Sequence, residues 1–229
     1  MAEPGNATLE PPPYTTIDTE RLHLRTLQVS DAKAILSIVS SEGVMKWTSL
    51  GRPITNIEQA ERWLKDRALG QDVFNFALEL RPEPSSPGYA AKPKQVIGII
   101  GSFHWPSVGY LVDPDYAGKG YATEALRALI PRLFERMPPA SERGVGCDYI
   151  EASTDSENWA SQRVLEKCAF TYCETRLQDF ENPTLGLRDT TVFRIPRPGK
   201  TLEDLDPLAP VKPGVASKAV DEEFVPPFQ

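Results

Sequence analysis

The sequence predicts an α/β fold, in which a mixed, mostly antiparallel sheet of about seven strands carries helices on both faces. Three observations lead to this prediction. Short apolar or alternating runs typical of strands recur between amphipathic segments with helical spacing. The run at residues 96–101 is apolar enough for a central strand. At residues 108–126 an apolar strand leads through a proline turn and two glycines directly into a helix. Strands and helices of this kind must bury their apolar faces against each other in layers.

The first half of the chain predicts helices and strands in turn. Residues 19–27 alternate as a half-buried strand does, and Ser30 or Asp31 is expected to cap the helix that follows. Residues 55–58 have the spacing of a capping box before a second helix. Trp47 and Trp63 fit either a ligand-site wall or the core, and the core is favoured. Further strands are expected at residues 73–80, 95–103 and 108–112, and an exposed proline-rich loop at residues 81–94.

The second half predicts a helix from residue 121 to about residue 137, bent at Pro131 because proline cannot donate the helical hydrogen bond. A strand at residues 149–154 and a helix at residues 156–167 follow. The last two strands, residues 171–180 and 187–195, are expected to form a hairpin. The predicted organisation is therefore a flexible arm (1–15), one domain (16–195) and a proline-rich tail (196–229).

Bulk properties exclude several classes of protein. The formal net charge of −7 argues against nucleic acid or an anionic membrane as the main partner. No run approaches the roughly 18 apolar residues that a membrane span needs. Cys147, Cys168 and Cys173 are irregularly spaced and have no partner histidines, which indicates reduced thiols and no metal site. Because the first residues also show no secretory signal, we expect a cytoplasmic protein.

The glycine corner predicts a binding site for a phosphate. Gly118 and Gly120 leave the backbone free to turn sharply and to approach a ligand, and Ala122 keeps the first helical turn narrow. The unpaired N–H groups and the positive end of the helix that starts near Tyr121 favour an anion. The spacing is neither that of a Walker loop nor that of a dinucleotide fingerprint.

The corner is one of several matching motifs. Residues 117–122 (AGKGYA) fit the pattern Arg/Gln-x-x-Gly-x-Gly/Ala, with Ala117 at the Arg/Gln place. Residues 19–25 (TERLHLR) with Asp31, the Gly109-Tyr110 pair, and the Asn-x-x-Ser-x-x-Val-Leu-Glu-Lys run at residues 158–167 match as well. In these motifs the chain resembles the GNAT superfamily of N-acyltransferases, most closely the RimJ/RimL-like branch, over residues 17 to about 195. The resemblance implies the GNAT fold and acetyl-CoA as cosubstrate.

The resemblance also implies the cofactor-binding residues. The strand before the corner is expected to splay from its neighbour, so that the acyl-pantetheine arm pairs with the backbone of Leu111 and Val112. The expected diphosphate cradle is Gly118, Lys119, Gly120, Tyr121, Ala122 and Thr123. Asn158 holds the family's place for an asparagine beside the cofactor arm. A residue in the N-terminal turn of a helix is the alternative, and the whole pattern favours cofactor contact.

Catalytic candidates follow from the same resemblance. Ser161 stands where the RimL-like branch is thought to use a serine as the donor to the leaving thiolate. The glutamate that often precedes the Gly-Tyr pair is replaced by Ser107, so the base is open between His104 and Glu151. Glycine usually precedes the phenylalanine at 170, where this chain has Ala169 in a helix C-terminal turn that favours positive φ.

The function expected from the resemblance is N-acetylation of a primary amine by direct attack in a ternary complex. A small-molecule amine and a protein N-terminus are both open as acceptors, and the protein is expected to be a monomer or a homodimer. The alternative is a non-catalytic GNAT-fold module that binds CoA or a protein partner. Ser107 and Ala117 favour this alternative, whereas Gly118, Gly120 and Ser161 favour the enzyme.

Overall fold

The computed structural model describes residues 11–70, 73–81, 95–102, 104–140 and 146–205. In these ranges the chain forms eight strands and five α-helices. The strands are β1 (Thr16–Asp18), β2 (Leu22–Thr26), β3 (Phe74–Leu80), β4 (Val96–Ser102), β5 (Gly109–Val112), β6 (Tyr149–Asp155), β7 (Thr171–Asn182) and β8 (Gly186–Pro196). The helices are α1 (Ala32–Val39), α2 (Glu42–Met45), α3 (Ile57–Ala68), α4 (Tyr121–Arg136) and α5 (Trp159–Lys167).

The first five strands form one sheet in chain order, β1-β2-β3-β4-β5, and every neighbouring pair is antiparallel. The other sheet has three antiparallel strands in the order β6-β8-β7. The predicted fold is confirmed, with the difference that its sheet divides into five and three strands.

The two sheets meet at a single parallel bridge between Ser107 and Glu151. Val108 donates its N–H to the carbonyl of Glu151 at 2.8 Å, and Glu151 donates to the carbonyl of Pro106 at 2.9 Å. Beyond this bridge, the described strands β5 and β6 are not paired. They therefore start side by side and then separate.

Helices cover both faces, as predicted. One core cluster packs α4 and α5 against side chains such as Phe76, Ile100 and Phe193. The other packs α1 and α3 against side chains such as Ala77, Ile99 and Leu111. Trp63 lies in this second cluster with 3% of its surface exposed, which confirms the core interpretation, whereas Trp47 is only half-buried.

Local signals were partly misread. The strand predicted at residues 19–27 corresponds to β2 alone, and a separate short strand, β1, precedes it. Asn56, and not Thr55, caps α3, because its side chain accepts the N–H of Gln59. Asp31 does not use its side chain as a cap for α1 but binds the guanidinium of Arg25 with both oxygens.

In the second half of the chain, α4 runs through Pro131 to Arg136. Ala169 has a φ of 64°, which confirms the expected left-handed turn after α5.

Past β8, the first residues assigned to the tail are bonded to the domain. Arg197 donates to the carbonyls of Phe134, Met137 and Cys147, and so satisfies backbone groups just after α4. The predicted arm at residues 1–10, most of the loop at residues 81–94 and the tail from residue 206 onward lie outside the described residues.

Candidate active site

The separation of β5 from β6 creates a cleft with α5 at its back. The cleft is small and partly open to solvent. Its walls are Val108, Gly109 and Tyr110 from β5, Ala152 and Ser153 from β6, and Ser161 and Leu165 from α5. A narrow slot between two strands suits an extended, flexible ligand better than a compact one.

The backbone of β5 offers hydrogen bonds to this cleft at alternate residues. Asp113 donates to Ile97, and Leu111 lies opposite Ile99, so the odd-numbered residues pair with β4. Val108, Tyr110 and Val112 therefore turn their N–H and C=O groups toward β6. Val108 uses its N–H in the bridge, which leaves Tyr110 and Val112 beside the open cleft. Of the two strand residues predicted to meet a cofactor, Val112 has its backbone in position, whereas the backbone of Leu111 faces β4.

The glycine corner follows β5 directly. A 3-10 turn at Pro114–Tyr116 is capped by Asp113, whose carboxylate accepts the N–H of Asp115. Gly118 and Gly120 then have φ values of 74° and 84°, in the left-handed region that side chains disfavour. Gly120 is the N-cap of α4, so the N–H groups of residues 121–123 have no acceptor within the helix. These groups and the positive end of the helix dipole fit the diphosphate of a CoA molecule.

Lys119 and Tyr121 belong to the corner in different ways. The Lys119 ammonium donates to the Asp115 carbonyl at 2.7 Å and lies 5.1 Å from the Tyr116 ring centroid. The ring of Tyr121 is covered by the guanidinium of Arg21 at 4.6 Å. Both side chains thus flank the turn, while the backbone of residues 118–123 forms its surface.

Arg21 is a residue at this corner that sequence reasoning missed. It binds Glu124 in the first turn of α4, and Thr19 donates to the same carboxylate. Burial would raise the pKa of Glu124, but these hydrogen bonds and the charge of Arg21 outweigh it and lower the pKa. The TERLHLR motif contained Arg21, but its contact with residue 124 is not visible in a linear pattern.

Tyr110 is a second residue that was missed. Its hydroxyl lies 2.8 Å from Ser161 Oγ and 3.0 Å from the Ser161 carbonyl, so it links the two walls of the cleft. Burial raises the pKa of Tyr110, and the phenol is therefore protonated at neutral pH. The Gly109-Tyr110 pair had been noted as a motif without a role for its side chain.

Asn158 acts as the N-cap of α5. Its Oδ1 accepts the N–H of Ser161 at 3.2 Å, which fixes the first turn that carries Ser161. The cap accounts for the carbonyl oxygen of Asn158. Whether its amide also contacts a cofactor stays a prediction.

Glu151 lies on the opposite face of the sheets from α4 and α5. Its neighbours Ile150 and Ala152 belong to the core cluster under those helices, and alternation turns Glu151 to the other side. There it is buried and paired with Arg194, whose Nε and one terminal nitrogen both lie 2.8 Å from Oε2. Val108 likewise faces α4, which turns Ser107 to the same side as Glu151.

His104 lies near this pair, just after β4. Burial lowers the pKa of His104, although a hydrogen bond with the Trp105 backbone and the charge of Glu151 oppose the shift. The imidazole is therefore neutral at pH 7 and able to accept a proton. The structure thus brings His104 within reach of the charge of Glu151.

The turn between β7 and β8 is bonded to the segment that follows α2. Asn182 is buried and donates to the carbonyls of Lys46 and Thr48, just after α2. Its Oδ1 accepts the N–H groups of Thr184 and Leu185, and Thr184 donates to the carbonyl of Gly51. These bonds hold the segment after α2 and the hairpin turn together.

Within the described part of the chain, no helix is long and apolar enough to cross a bilayer. The same residues contain no group of three or more histidine, cysteine, aspartate or glutamate side chains placed to hold a metal ion. The three cysteines are free thiols, and burial raises the pKa of each.

Comparison with known proteins gives consistent results. A family model described as an acetyltransferase (GNAT) domain matches residues 21–171. FsC-acetyl coenzyme A-N(2)-transacetylase of Aspergillus fumigatus is 25% identical over 181 residues, which span 77% of this chain and 74% of that protein.

Among solved structures, a GNAT-family acetyltransferase from Bacillus anthracis superposes with a TM-score of 0.61 at 20% identity, covering 80% of this chain and 98% of that chain. RimL, a ribosomal L7/L12 alpha-N-protein acetyltransferase in complex with coenzyme A, superposes with a TM-score of 0.58 at 16% identity, again covering 80% and 98%. At these identities the two structures show a common fold.

Proposed function

The chain belongs to the GNAT acetyltransferase family and is an acyltransferase, and we propose that it moves the acetyl group of acetyl-CoA to a primary amine by direct attack within a ternary complex. The observation that carries the proposal is the continuity of the cleft with the corner. The unpaired backbone edge of Tyr110 and Val112 leads straight to the glycines at 118 and 120. An extended pantetheine arm fits the first part, and a diphosphate fits the second.

When bound, acetyl-CoA would supply an activated acetyl thioester, and the chain's own residues would hold the reactants and move their protons. The N–H groups of residues 121–123 bind the diphosphate, and the edge of β5 orients the arm in the cleft. The remaining tasks are to take a proton from the amine and to stabilise the departing thiolate.

We assign the first of these tasks to Glu151. In the family the glutamate often stands at position 107, but here Ser107 is the bridge partner of Glu151 on the neighbouring strand. The side chains of two bridge partners lie on the same side of the sheet. The carboxylate of Glu151 on β6 is therefore on the same side as Ser107, where the family often has its glutamate. Both contacts of Arg194 use Oε2, and Oε1 is the oxygen that we assign to the amine proton. His104 is neutral at pH 7 and feels the charge of Glu151, which makes it the second candidate for this proton.

We assign the second task to Ser161. Its hydroxyl is in the cleft wall, and Asn158 fixes the turn that carries it. Tyr110, on the facing wall, donates its one phenol proton to the Ser161 carbonyl, and its oxygen lies 2.8 Å from Ser161 Oγ. When Ser161 donates to the thiolate, the phenol proton can turn from this carbonyl to Ser161 Oγ and limit the charge that develops there.

Two classes of acceptor fit the proposal. The relative from Aspergillus fumigatus bears the name of an N(2)-transacetylase, and RimL bears that of an alpha-N-protein acetyltransferase. The first relative is consistent with a small-molecule amine as the acceptor of this chain. The second is consistent with a protein N-terminus as the acceptor. The net charge of −7 favours a cationic amine over an anionic one in either class.

The test is calorimetric titration with acetyl-CoA and with CoA, followed by a free-thiol assay on a panel of polyamines, amino acids and peptides with free N-termini. We expect micromolar binding of both nucleotides and thiol release with one class of amine. The N-acetylated form of each amine is the matched control and should release no thiol. Absence of binding to both nucleotides, together with absence of thiol release across the panel, would contradict the proposed function.

A further inference from the structure

The corner that is proposed to hold the diphosphate carries an acidic side chain. Glu124 lies in the first turn of α4, directly after residues 121–123, whose N–H groups have no acceptor within the helix. A carboxylate at a helix N-terminus interacts favourably with the helix dipole, but it also competes with any anion that binds there. This chain moreover has Ala117 at the place where the family usually has arginine or glutamine, so the loop lacks that polar side chain.

The carboxylate of Glu124 is held to one side by the turn between β1 and β2. Oε1 accepts the hydroxyl of Thr19 at 2.6 Å and the backbone N–H of Arg21 at 2.9 Å. Oε2 accepts Nε of Arg21 at 2.7 Å, and a terminal nitrogen of Arg21 lies at 2.6 Å. Four contacts from a segment about a hundred residues earlier thus fix and neutralise this charge.

The same guanidinium also touches the corner itself. Arg21 donates to the carbonyl of Lys119 at 3.0 Å and covers the ring of Tyr121. A Cβ built on Gly120 would lie 3.4 Å from its terminal nitrogen. Because 43% of the Arg21 side chain is exposed, its charge acts on the solvent side of the corner, where a ligand would arrive.

We propose that Arg21 is a positioning residue for the diphosphate of acetyl-CoA. It strengthens binding of the diphosphate because it cancels the negative charge of Glu124, which lies beside the phosphate-binding N–H groups. This inference rests on the proposed function, since it needs CoA to bind at the corner. The turn between β1 and β2 would thus raise the affinity for the cofactor electrostatically, in addition to the contribution of the glycine loop.

The test compares Arg21→Gln, Glu124→Gln and the double variant by calorimetric titration with CoA. Arg21→Gln leaves Glu124 uncompensated and should weaken CoA binding about fivefold to tenfold at low ionic strength. Glu124→Gln leaves Arg21 uncompensated and should bind CoA as tightly as the unmodified protein or more tightly. The double variant should return to within about threefold of the unmodified protein. In about 0.5 M salt the differences should shrink, because screening weakens them.

The matched control is the pair Arg132→Gln and Glu135→Gln. Arg132 and Glu135 form an exposed ion pair on the same helix, beyond the first turn, and their loss should leave CoA binding unchanged. A second readout is transfer from acetylpantetheine, which lacks the diphosphate and should be equally efficient in all the corner variants. Melting temperatures identify any variant that does not fold.

Two results would overturn the inference. If Glu124→Gln weakens CoA binding as much as Arg21→Gln does, the pair is only a structural clamp. If acetylpantetheine transfer falls together with CoA affinity, the effect does not act on the phosphates. Failure of the unmodified protein to bind CoA would instead count against the proposed function, so the two failures are distinguishable.

Discussion

The proposed cofactor corner and the proposed acceptor face, which is the side of the sheets that carries Ser107, Glu151 and Arg194, are built from different parts of the polypeptide. The corner consists of backbone: two glycines with positive φ, the first turn of α4 and the open edge of β5. The acceptor face consists of side chains from strands and turns that are far apart in sequence. A backbone site tolerates changes of side chain, while a side-chain site changes its chemistry with each substitution.

The largest expected effect is at the corner. Gly120→Val places a β-branched residue at a φ of 84°, which costs roughly 1–3 kcal/mol and distorts the N-cap of α4. We expect the dissociation constant for CoA to rise by about a hundredfold or more, measured by calorimetry. Gly199→Ala is the control, because Gly199 has a φ of 85° in an exposed turn with open space around it. If Gly120→Val kept full affinity, the corner would not be the cradle.

On the acceptor face, Glu151→Gln keeps the volume and a hydrogen bond to Arg194 but removes the proposed base. We expect kcat to fall about a hundredfold with CoA affinity unchanged. Glu157→Gln, which alters an exposed partner of Arg188, is the control and should leave kcat unaffected. An undiminished kcat in Glu151→Gln would remove Glu151 from the mechanism and leave the base to His104.

Between the two regions, Ser161→Ala should lower kcat by only about tenfold. A thiolate is a stable leaving group, since thiols have a pKa of about 8.5, and so it needs less help than the amine does. Tyr110→Phe removes only the hydroxyl that contacts Ser161 Oγ, so kcat should fall by less than in Ser161→Ala. Equal rates in Ser161→Ala and the unmodified enzyme, at saturating amine and at a pH where chemistry limits the rate, would exclude Ser161 as the acid.

Asn182 tests whether the segment after α2 and the hairpin turn bear on amine binding. Asn182→Ala removes four hydrogen-bond contacts that are buried or partly buried and should lower the free energy of unfolding by about 2 kcal/mol. We expect a severalfold higher KM for the amine and unchanged CoA affinity. Asn182→Asp keeps the acceptor oxygen for Thr184 and Leu185, so it isolates the two donor bonds to the segment after α2. A changed CoA affinity would show that the two regions are coupled.

The smallest effect concerns His104 and pH. Because the folded-state pKa lies below 6.5, the unfolded chain binds this proton first as the pH falls, and stability is lost below about pH 6.5. Above that pH both states are neutral and the residue has no pH-dependent effect. Denaturant titrations at pH 7.5 and pH 5.5 give the free energy of unfolding at each pH. Its decrease between these pH values should be smaller in His104→Gln than in the unmodified protein, by about 1 kcal/mol or less. An identical loss in both proteins would contradict the shift.

The contrast between the regions also explains what the sequence could predict. Gly118, Gly120 and the helix after them are contiguous, so their spacing predicts the corner, and the same holds for the positive φ of Ala169. The contacts of Arg21 with Glu124 and of Tyr110 with Ser161 span 103 and 51 residues and depend on how the sheets pack. Glu151 was identified as a candidate, but its position beside Ser107 follows from strand pairing and not from any motif.

The bridge between the two sheets also bears on how the chain folds. Within each sheet, neighbouring strands are joined by a ladder of several paired residues. The strand edges of the two sheets are joined by two backbone hydrogen bonds, between Val108 and Glu151 and between Glu151 and Pro106. Because so few hydrogen bonds hold this seam, we expect it to open before either sheet and to be completed after each sheet has acquired its own order. The cleft beside the seam would then be among the last features of the native state to form.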